Sequence, residues 1–307
     1  MGGPTENPGP AERRASERAV EAVWRIESAR LIAGLSRRLG DVGLAEELAQ
    51  DALVRALETW PRTGVPEDPF AWLLTTARNA GVDRIRRDRS LEEKHARLAA
   101  DLERSGPGEP AGEGEGPLDP ERLGDDLLGL IFTACHPALT VESRVALTLR
   151  VLGGLSTEEI GRAFLVPAAT AGQRISRAKR SLAEAGVRFE VPAEDEMGER
   201  LGAVLGVIYL IFNEGYAATA GPDWTRPELC AEALRLGRIL AGLIPDQPEV
   251  IGLLALMEIQ ASRLPARTGP DGRPRLLEAQ DRRAWDRLLV RRGLAGAERA
   301  LASGDPG

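Results

Sequence analysis

The sequence predicts an all-α protein built from separate helical modules. Alternating runs of Val, Ile, Thr and aromatic residues, which are typical of strands, are nearly absent, whereas Ala, Leu, Arg and Glu dominate. Apolar residues recur instead at the spacing of helix faces. A length of 307 residues allows two or three domains. We therefore expect helical domains connected by linkers, without a sheet.

Charge is distributed unevenly along the chain. The formal net charge is -7, which excludes a general binder of polyanions. Residues 162–188 nevertheless carry six Lys or Arg side chains against one Glu, whereas residues 102–126 carry two Arg against eight acidic side chains. A basic module within an acidic chain indicates a localised nucleic-acid-binding surface.

No export signal, membrane span or metal site is predicted. Residues 1–15 open with a polar, Gly- and Pro-rich stretch, and we expect them to be disordered. The longest apolar run, residues 201–212, is shorter than the roughly 20 residues that cross a bilayer. Cys135 and Cys230 have no second thiol nearby, and the neighbouring Cys135 and His136 would project about 100° apart on a helix. We expect a soluble, cytoplasmic protein without metal, cofactor or membrane partner.

Residues 16–98 are predicted to form the first helical domain. One or two helices end at Gly40, and Asp41 caps the next helix. One face of that helix is apolar, with Leu44, Ala45, Leu48, Ala49, Ala52, Leu53, Ala56 and Leu57, and the other carries Glu46, Glu47, Gln50, Asp51 and Arg55. Taken alone, such an acidic face is most often simply solvated.

A Pro- and Gly-rich loop, residues 60–69, is predicted to follow, and a further helix begins at Phe70. The helix opens with aromatic residues and ends in a cluster of arginines, Arg84, Arg86, Arg87 and Arg89. An aromatic surface beside cations can hold an unstacked nucleic-acid base. The alternative is that Phe70 and Trp72 are core residues.

Residues 154–185 predict a helix-turn-helix. Ser156 and Glu159 have the capping-box spacing at the start of a short helix, and Pro167 separates it from a second helix that begins near Ala168. The second helix has an apolar stripe of Ala171, Ile175, Ala178 and Leu182, opposite Thr170, Gln173, Arg174, Arg177, Lys179 and Arg180. Arg and Gln can read guanine and adenine edges, and the other cations can meet phosphates. An ordinary helical hairpin with a solvated basic face is the alternative.

The two modules, in this order, resemble bacterial sigma factors of the extracytoplasmic-function (ECF) group. Residues 41–57, the stretch Pro69-Phe70-Ala71-Trp72-Leu73 and residues 77–87 are similar to region two, and residues 147–182 are similar to region four. Residues 169–174 depart from the usual Ser-x-Gly-Thr-Val-Lys-Ser-Arg pattern. Gly172 within the recognition helix costs about 1 kcal/mol relative to alanine.

The resemblance implies a sigma factor that binds core RNA polymerase through its largest and second-largest subunits, selects promoter DNA and helps to melt the −10 element. It implies no enzymatic activity, because catalysis belongs to the polymerase.

The residues implied in polymerase binding are Asp41, Glu46, Glu47, Gln50 and Asp51. Those implied at the −10 element are Trp60, Trp72, Asn79, Asp83, Arg84, Arg86 and Arg87. The −35 element would be read by region four, residues 123–188, through Thr170, Gln173, Arg174, Arg177, Lys179 and Arg180. The acidic linker, residues 99–122, would thread through the RNA channel.

Residues 189–307 resemble the C-terminal helical extension of one ECF group, which usually continues into tetratricopeptide-like helix pairs. Much of that later part is expected to be missing here, and no repeat of about 34 residues is evident. The very apolar stretch 201–212 should be buried on several sides, and we expect the extension to contact and control the sigma modules. Glu214, Asp281 and Arg282 are predicted to be buried, mutually paired anchors. A chain with its own regulatory extension need not have a separate anti-sigma factor. The residues assigned to the extension are Asn213, Glu214, Tyr216, Asp281, Arg282 and Trp285.

Two other functions stay open at this stage. A DNA-binding regulator with a helix-turn-helix would act without polymerase, and would leave residues 41–89 without a role. An enzyme in the C-terminal third, built on Glu214, Asp281 and Arg282, lacks an accompanying nucleophile–base pair or metal set.

Overall fold

A computed structural model describes residues 9–100, 120–221, 223–269 and 273–303, with side chains described outside 10–12, 85–100 and 120–123. The described residues form twelve α-helices and two short 3₁₀ turns, and their only β interaction is an isolated antiparallel bridge between Thr268 and Pro274. The prediction of an all-α protein is therefore confirmed. The chain divides into two compact units, residues 1–126 and residues 127–307.

The first unit contains three mutually contacting helices, α1 (Pro10–Leu39), α2 (Val42–Thr63) and α3 (Pro69–Ala100). Gly40 at φ +69° ends α1, and Asp41 caps α2 by accepting a hydrogen bond from the Leu44 amide at 3.0 Å. Asp68 caps α3 in the same way through the Ala71 amide at 2.9 Å. These local signals explain why the chain reverses direction twice and closes a three-helix core.

Two boundaries and the burial of one residue in this unit differ from the sequence prediction. Helix α1 begins at Pro10, inside the stretch 1–15 that was predicted to be disordered. Helix α2 continues through Trp60 and Pro61 to Thr63, so the predicted loop shortens to residues 64–68. Proline at this position removes only one hydrogen bond near the helix end, and Gly64, at φ +81°, then stops the helix. Leu57, which was predicted to face inward, is exposed.

The second unit begins with four helices, α4 (Pro120–Ala134, of which residues 127–134 belong to this unit), α5 (Val141–Val151), α6 (Thr157–Ala163) and α7 (Ala168–Glu184). Thr140 caps α5 through the Ser143 amide. Helices α5, α6 and α7 contact one another, and their shared core includes Leu147, Leu149 and Ile160. The predicted linker lies largely outside the described residues, which resume at residue 120.

The same unit continues into α8 (Glu194–Tyr216), α9 (Pro227–Leu243), α10 (Pro248–Ala261), α11 (Leu264–Arg267) and α12 (Arg287–Ala302). Helix α8 packs on α9 and also on α5, so the extension and the helix-turn-helix share one folded body. Close packing depends on glycine: a Cβ on Gly215 would lie 2.6 Å from the Cys230 amide nitrogen, and one on Gly293 would lie 2.5 Å from a side-chain carbon of Ile259.

Helix α8 is less enclosed than its composition predicts. Leu201, Val204, Val207, Ile208, Ile211 and Phe212 are buried as expected, but Tyr209 and Leu210 remain exposed. Gly202 and Gly206 lie exposed along the same side of the helix, and nothing packs against them. The prediction of burial on several sides therefore holds for the face toward α5 and α9 and is wrong for the opposite face.

Candidate nucleic-acid interface

The helix-turn-helix is built as the sequence predicts. The Glu159 amide donates to Ser156 Oγ at 3.1 Å, and the Ser156 amide donates back to the Glu159 carboxylate at 2.8 Å. This capping box satisfies two amides at the start of α6. Pro167 occupies the N-cap position of α7, where its missing N–H costs nothing.

The turn between α6 and α7 depends on two residues that the sequence analysis did not single out. A Cβ on Gly161 would lie 2.8 Å from the Val166 carbonyl oxygen, so only glycine permits this approach of the two helices. Leu165 has φ +51°, a left-handed conformation that costs a non-glycine residue about 1–2 kcal/mol. The turn is therefore tight and strained at Leu165.

Helix α7 has the two faces that its sequence predicts. Ala171, Ile175, Ala178 and Leu182 are buried, which confirms the apolar stripe. Gln173, Arg177 and Arg180 are exposed, and Thr170, Arg174 and Lys179 are half-buried. The outward residues form a basic, amide-bearing surface along one helix, which has the chemistry to contact base edges and phosphates.

Helix α5 places one carboxylate beside this basic surface. The pKa of Glu142 is lowered, first by a backbone hydrogen bond at its own amide and by the hydroxyl of Thr140, and further by the positive charge of Arg174. Glu142 is exposed and begins α5. Its negative charge therefore lies within electrostatic range of the arginine at the centre of the predicted reading surface.

The extension holds the helix-turn-helix through Arg226, which the sequence analysis missed. This buried arginine donates to the carbonyl oxygen of Ala163, the last residue of α6, and is paired with the buried carboxylate of Glu214. Its other terminal nitrogen donates to the Ala220 carbonyl oxygen at 2.7 Å. A cation at a helix C-terminus satisfies an orphan carbonyl and the helix dipole. Arg226 lies just before α9, outside any helical face, so hydrophobic periodicity could not identify it as a buried residue.

Three further contacts join the extension to the preceding helices. Arg235 on α9 donates to the carbonyl oxygen of Leu152, which ends α5. Arg200 on α8 donates to the Phe132 carbonyl oxygen on α4 at 3.2 Å, and desolvation by burial lowers the pKa of Arg200. A Cβ built on Gly221 would lie 2.9 Å from the Leu165 side chain, so the loop after α8 lies against the strained turn. The expectation that the extension contacts a sigma module is confirmed.

The predicted acidic surface on α2 is smaller than expected. Glu46 is buried, at 3% exposure, because it lies at the edge of the buried face of α2, beside Ala45 and Ala49. Its assignment to an exposed docking face is wrong. Asp41 is committed to capping α2. Glu47 and Asp51 are exposed and Gln50 is half-buried. Glu47 accepts a hydrogen bond from Arg84 of α3 at 3.2 Å. A residue assigned to polymerase binding therefore contacts one assigned to the −10 element.

The predicted aromatic surface is partly a core feature. Trp60 is buried, at 1% exposure, because it lies on the inner face of the last turns of α2; its assignment as a DNA-contacting residue is contradicted. Trp72 is half-buried and meets Trp60 edge-to-face at 5.6 Å between ring centroids. Phe70 is also half-buried, with the Arg30 guanidinium 5.9 Å from its ring centroid. The core alternative therefore applies to Trp60 and in part to Phe70 and Trp72.

The remaining residues assigned to the −10 element lie on α3. Asn79 and Asp83 are exposed one turn apart, and Arg84 is exposed beside Asp83. The side chains of Arg86 and Arg87 lie outside the described ones. The exposed loop 64–68 precedes the same helix.

The predicted anchors of the extension are only partly correct. Glu214 is buried and paired, but its partner is Arg226. Asp281 is exposed and pairs with Arg283 at 3.2 Å, and Arg282 lies 5.8 Å from the Trp285 ring centroid. The Arg283 amide and side chain lower the pKa of Asp281. Asp281 caps a 3₁₀ turn, which keeps it at the surface, so its pairing with Arg282 is wrong. Asn213 is exposed, and Tyr216 stacks on Phe212 at 5.7 Å.

Metal-ligand sets and the two cysteines can be assessed within the described part of the chain. No set of three or more His, Cys, Asp or Glu side chains there is placed to hold a metal ion. Burial raises the pKa of the Cys135 thiol to about 11 and that of Cys230 to about 12, so both thiols stay protonated. None of the described helices combines the length and the apolar content needed to cross a bilayer.

Three family profiles match consecutive parts of the chain. Sigma-70 region 2 matches residues 26–91, and Sigma-70, region 4 matches residues 130–182. A family of unknown function, DUF6596, matches residues 200–301. The ECF RNA polymerase sigma factor SigC of Mycobacterium tuberculosis (strain CDC 1551 / Oshkosh) is 31% identical over 147 residues, 47% of this chain and 71% of SigC. The chain belongs to the ECF sigma factor family.

Two further relatives match longer parts of the chain. An uncharacterized protein of Rhizobium meliloti (strain 1021) is 44% identical over 274 residues, 89% of this chain and 64% of that protein. The probable ECF RNA polymerase sigma factor SigI of the same Mycobacterium tuberculosis strain is 28% identical over 182 residues, 59% of this chain and 60% of SigI. The chain thus spans less than two thirds of the length of these two relatives. No solved structure matches the chain.

Proposed function

We propose that this chain acts as a sigma factor: it binds core RNA polymerase, directs it to promoters and helps to melt the −10 element. The observation that carries the proposal is that two modules occur on one chain, the first being the outward face of α7, a basic reading surface on a capped helix-turn-helix. The same chain carries a separate three-helix unit that matches Sigma-70 region 2. A DNA-binding regulator needs only the first of these features.

Region four supplies the contacts to the −35 element. Gln173 and Arg174 lie centrally on the outward face of α7 and can form paired hydrogen bonds with base edges in the major groove. Arg177 and Arg180 are exposed toward the C-terminal half of α7, together with the half-buried Lys179, and meet phosphates. Thr170, near the start of the helix, contacts either a base edge or a phosphate.

Region two supplies the surface for core polymerase. Glu47 and Asp51 are exposed one helical turn apart, and Val54 continues the same stripe with 54% exposure. An exposed apolar side chain beside two carboxylates is suited to a partner that combines basic and apolar groups, because opposite potentials set orientation and apolar burial supplies affinity. The basic clamp helices of the largest subunit are the proposed partner, and the acidic linker, residues 99–122, meets the channel that the second-largest subunit helps to form.

The −10 element meets a neighbouring surface of region two, on α3, which adjoins the docking surface where Arg84 contacts Glu47. The half-buried Trp72, the loop 64–68 and the exposed Asn79 and Asp83 can receive an unstacked base, because they combine an aromatic edge with hydrogen-bonding groups. Trp60 supports Trp72 from the core side, edge-to-face. Arg84, with Arg86 and Arg87, holds the adjacent phosphates.

The extension acts on region four in cis. Its contacts reach the ends of α5 and α6 and the turn at Leu165, whereas Gln173, Arg177 and Arg180 stay exposed with the extension in place. The extension therefore does not cover the reading surface of α7. It controls transcription by setting the position and rigidity of α6 and the turn that carries α7.

Co-purification with core polymerase separates a sigma factor from a regulator. The full-length chain should be retained on immobilised core polymerase and should bind duplex −35 DNA far more tightly with core than alone. Retention lost with Asp51→Lys but kept with Glu17→Lys, an exposed carboxylate of α1, would support docking through α2. If the chain does not bind core polymerase but binds its duplex site alone, it is a helix-turn-helix regulator.

A further inference from the structure

The last part of the extension carries a dense group of exposed arginines. Residues 282–292 contain five Arg side chains against one acidic side chain, an excess of four positive charges in a chain of net charge -7. The stretch 162–188, which carries the reading surface of α7, has an excess of five over a much longer segment. All five arginines are exposed, and we call them the arginine patch: Arg282, Arg283, Arg287, Arg291 and Arg292.

The fold holds the arginine patch together at one end of the extension. The Asp286 amide donates to the Ser262 carbonyl oxygen at 2.9 Å, so the 3₁₀ turn 282–284 and the start of α12 both lie next to the end of α10. The same turn also contacts α11. Arg287 and Arg291 are four residues apart on α12, which places their Cβ atoms about 6 Å apart on one face. The buried glycines of α12 lie on the opposite face, against α10.

The acidic side chains beside the arginine patch have other roles. Asp286 accepts hydrogen bonds from two amides at the start of α12 and so caps this helix. Asp281 caps the 3₁₀ turn and pairs with Arg283. Within the part of the chain that the structure describes, the three patch arginines on α12 form no ion pair and no hydrogen bond. Like charges one helical turn apart repel each other, and a bound polyanion would remove this repulsion.

The arginine patch belongs to the same compact unit as the reading surface of α7. Helix α7 packs on α5, α5 on α8, α8 on α10, and α10 on α12. Packed helices lie about 8–10 Å apart, so four such steps separate the axes of α7 and α12 by at most about 40 Å. One turn of duplex DNA spans about 34–36 Å. Duplex DNA that contacts α7 therefore needs little more than one further turn to come within reach of the patch.

We propose that the arginine patch binds the phosphate backbone of duplex DNA next to the segment that α7 reads. Guanidinium groups stay charged at every physiological pH, and their contacts to phosphates add affinity without sequence discrimination. An acidic protein surface would match the charge equally well, but duplex DNA is favoured because the same unit presents a DNA-reading helix. The inference rests on the proposed function for the identity of this DNA as promoter DNA.

The salt dependence of DNA binding tests the patch. Fluorescence anisotropy measures the affinity of the full-length chain for a duplex of arbitrary sequence between about 50 and 200 mM salt, where each phosphate contact contributes about −0.9 to the slope of log affinity against log salt. Arg287→Gln combined with Arg291→Gln should make this slope shallower by about 1.8 and weaken binding, because two phosphate contacts are lost. Arg14→Gln combined with Arg18→Gln, which removes two exposed arginines of α1, should change neither.

An unchanged slope in the patch variant would overturn the proposal. If the patch variant also lost retention on immobilised polyglutamate while its DNA slope stayed unchanged, the patch would bind an acidic protein instead. Hydroxyl-radical footprints of holoenzyme on fragments recovered by run-off transcription separate this inference from the sigma function. The patch variant should keep the start sites and lose protection outside the segment contacted by α7. Start sites with identical footprints would overturn the patch alone, whereas failure of the unchanged chain to start transcription would contradict only the sigma function.

Discussion

Glu214 and Arg226 form a buried ion pair where the loop between α8 and α9 meets the end of α6. Arg226 also donates to the Ala163 carbonyl oxygen, and the Glu214 carboxylate accepts from the Thr219 hydroxyl at 2.9 Å. The two residues thus connect the extension directly to the first helix of the helix-turn-helix. Neither side chain is available to solvent for another role.

Glu214→Ala should weaken this connection strongly, because it leaves the charge of Arg226 buried and unpaired. Removing one member of a buried pair costs about 3–5 kcal/mol. Hydrogen exchange of peptides covering residues 213–235 should accelerate more than a hundredfold, and affinity for −35 DNA should fall. Glu278→Ala, which changes an exposed carboxylate of the same extension, should alter neither. Unchanged exchange in Glu214→Ala would show that the pair does not hold the extension in place.

Replacing either of two glycines in the helix-turn-helix by alanine should change its stability, in opposite directions for the two positions. A Cβ on Gly172 would meet only the Thr157 methyl carbon at 3.8 Å, so Gly172→Ala should stabilise region four by up to about 1 kcal/mol. A Cβ on Gly161 would lie 2.8 Å from the Val166 carbonyl oxygen, so Gly161→Ala should destabilise it by about 1–3 kcal/mol. The thermal unfolding midpoints of the two variants measure both effects. A Gly161→Ala protein as stable as the unchanged chain would contradict the close packing of the turn.

Arg174→Ala should reduce discrimination at one base pair of the −35 element. A paired base contact is worth about 1–3 kcal/mol, so affinity for the preferred site should fall while affinity for a site altered at that base pair changes little. Arg188→Ala, beyond the end of α7, should leave discrimination intact. Binding of holoenzyme to a set of single-base-pair variants measures this. An equal loss on every sequence would instead make Arg174 a phosphate contact.

Glu47→Lys combined with Asp51→Lys should abolish association with core polymerase and leave the helical content unchanged, because both side chains are exposed. Glu47 contributes little to the fold: its contact with Arg84 joins two exposed side chains, and such pairs are worth about 0–1 kcal/mol. Co-purification with core polymerase and far-UV circular dichroism check the two halves of this prediction. Normal co-purification of the double variant would place the docking surface elsewhere.

The sequence predicted those features that depend on neighbours along the chain. The capping box of Ser156 and Glu159, the cap at Asp41 and the buried stripe of α7 all follow from residues within one or two helical turns. Periodicity failed where a helix face is divided between core and surface. It placed Glu46 outside and Leu57 inside, because a rotation of a few tens of degrees exchanges residues at the edge of an apolar stripe.

Contacts between distant segments could not be predicted from the sequence. Arg226 meets Ala163 across 63 positions, and no spacing rule connects an arginine before one helix with a carbonyl oxygen that ends another. The sequence correctly marked Glu214 as a buried anchor but paired Asp281 with Arg282, although Asp281 is held at the surface by its capping role. The sequence assigned Trp60 to DNA because aromatic side chains both fill hydrophobic cores and stack on bases. Only the burial of Trp60 in the structure distinguishes these two roles.

Run-off transcription tests the sigma-factor function most directly. Core polymerase, the full-length chain and a pool of genomic fragments are combined, and transcripts that resist a heparin challenge are mapped. Discrete start sites should appear only when the chain is present, and they should disappear with Glu47→Lys/Asp51→Lys and shift in sequence preference with Arg174→Ala. If the chain binds a duplex site alone and no start sites appear with core polymerase, the assignment is contradicted.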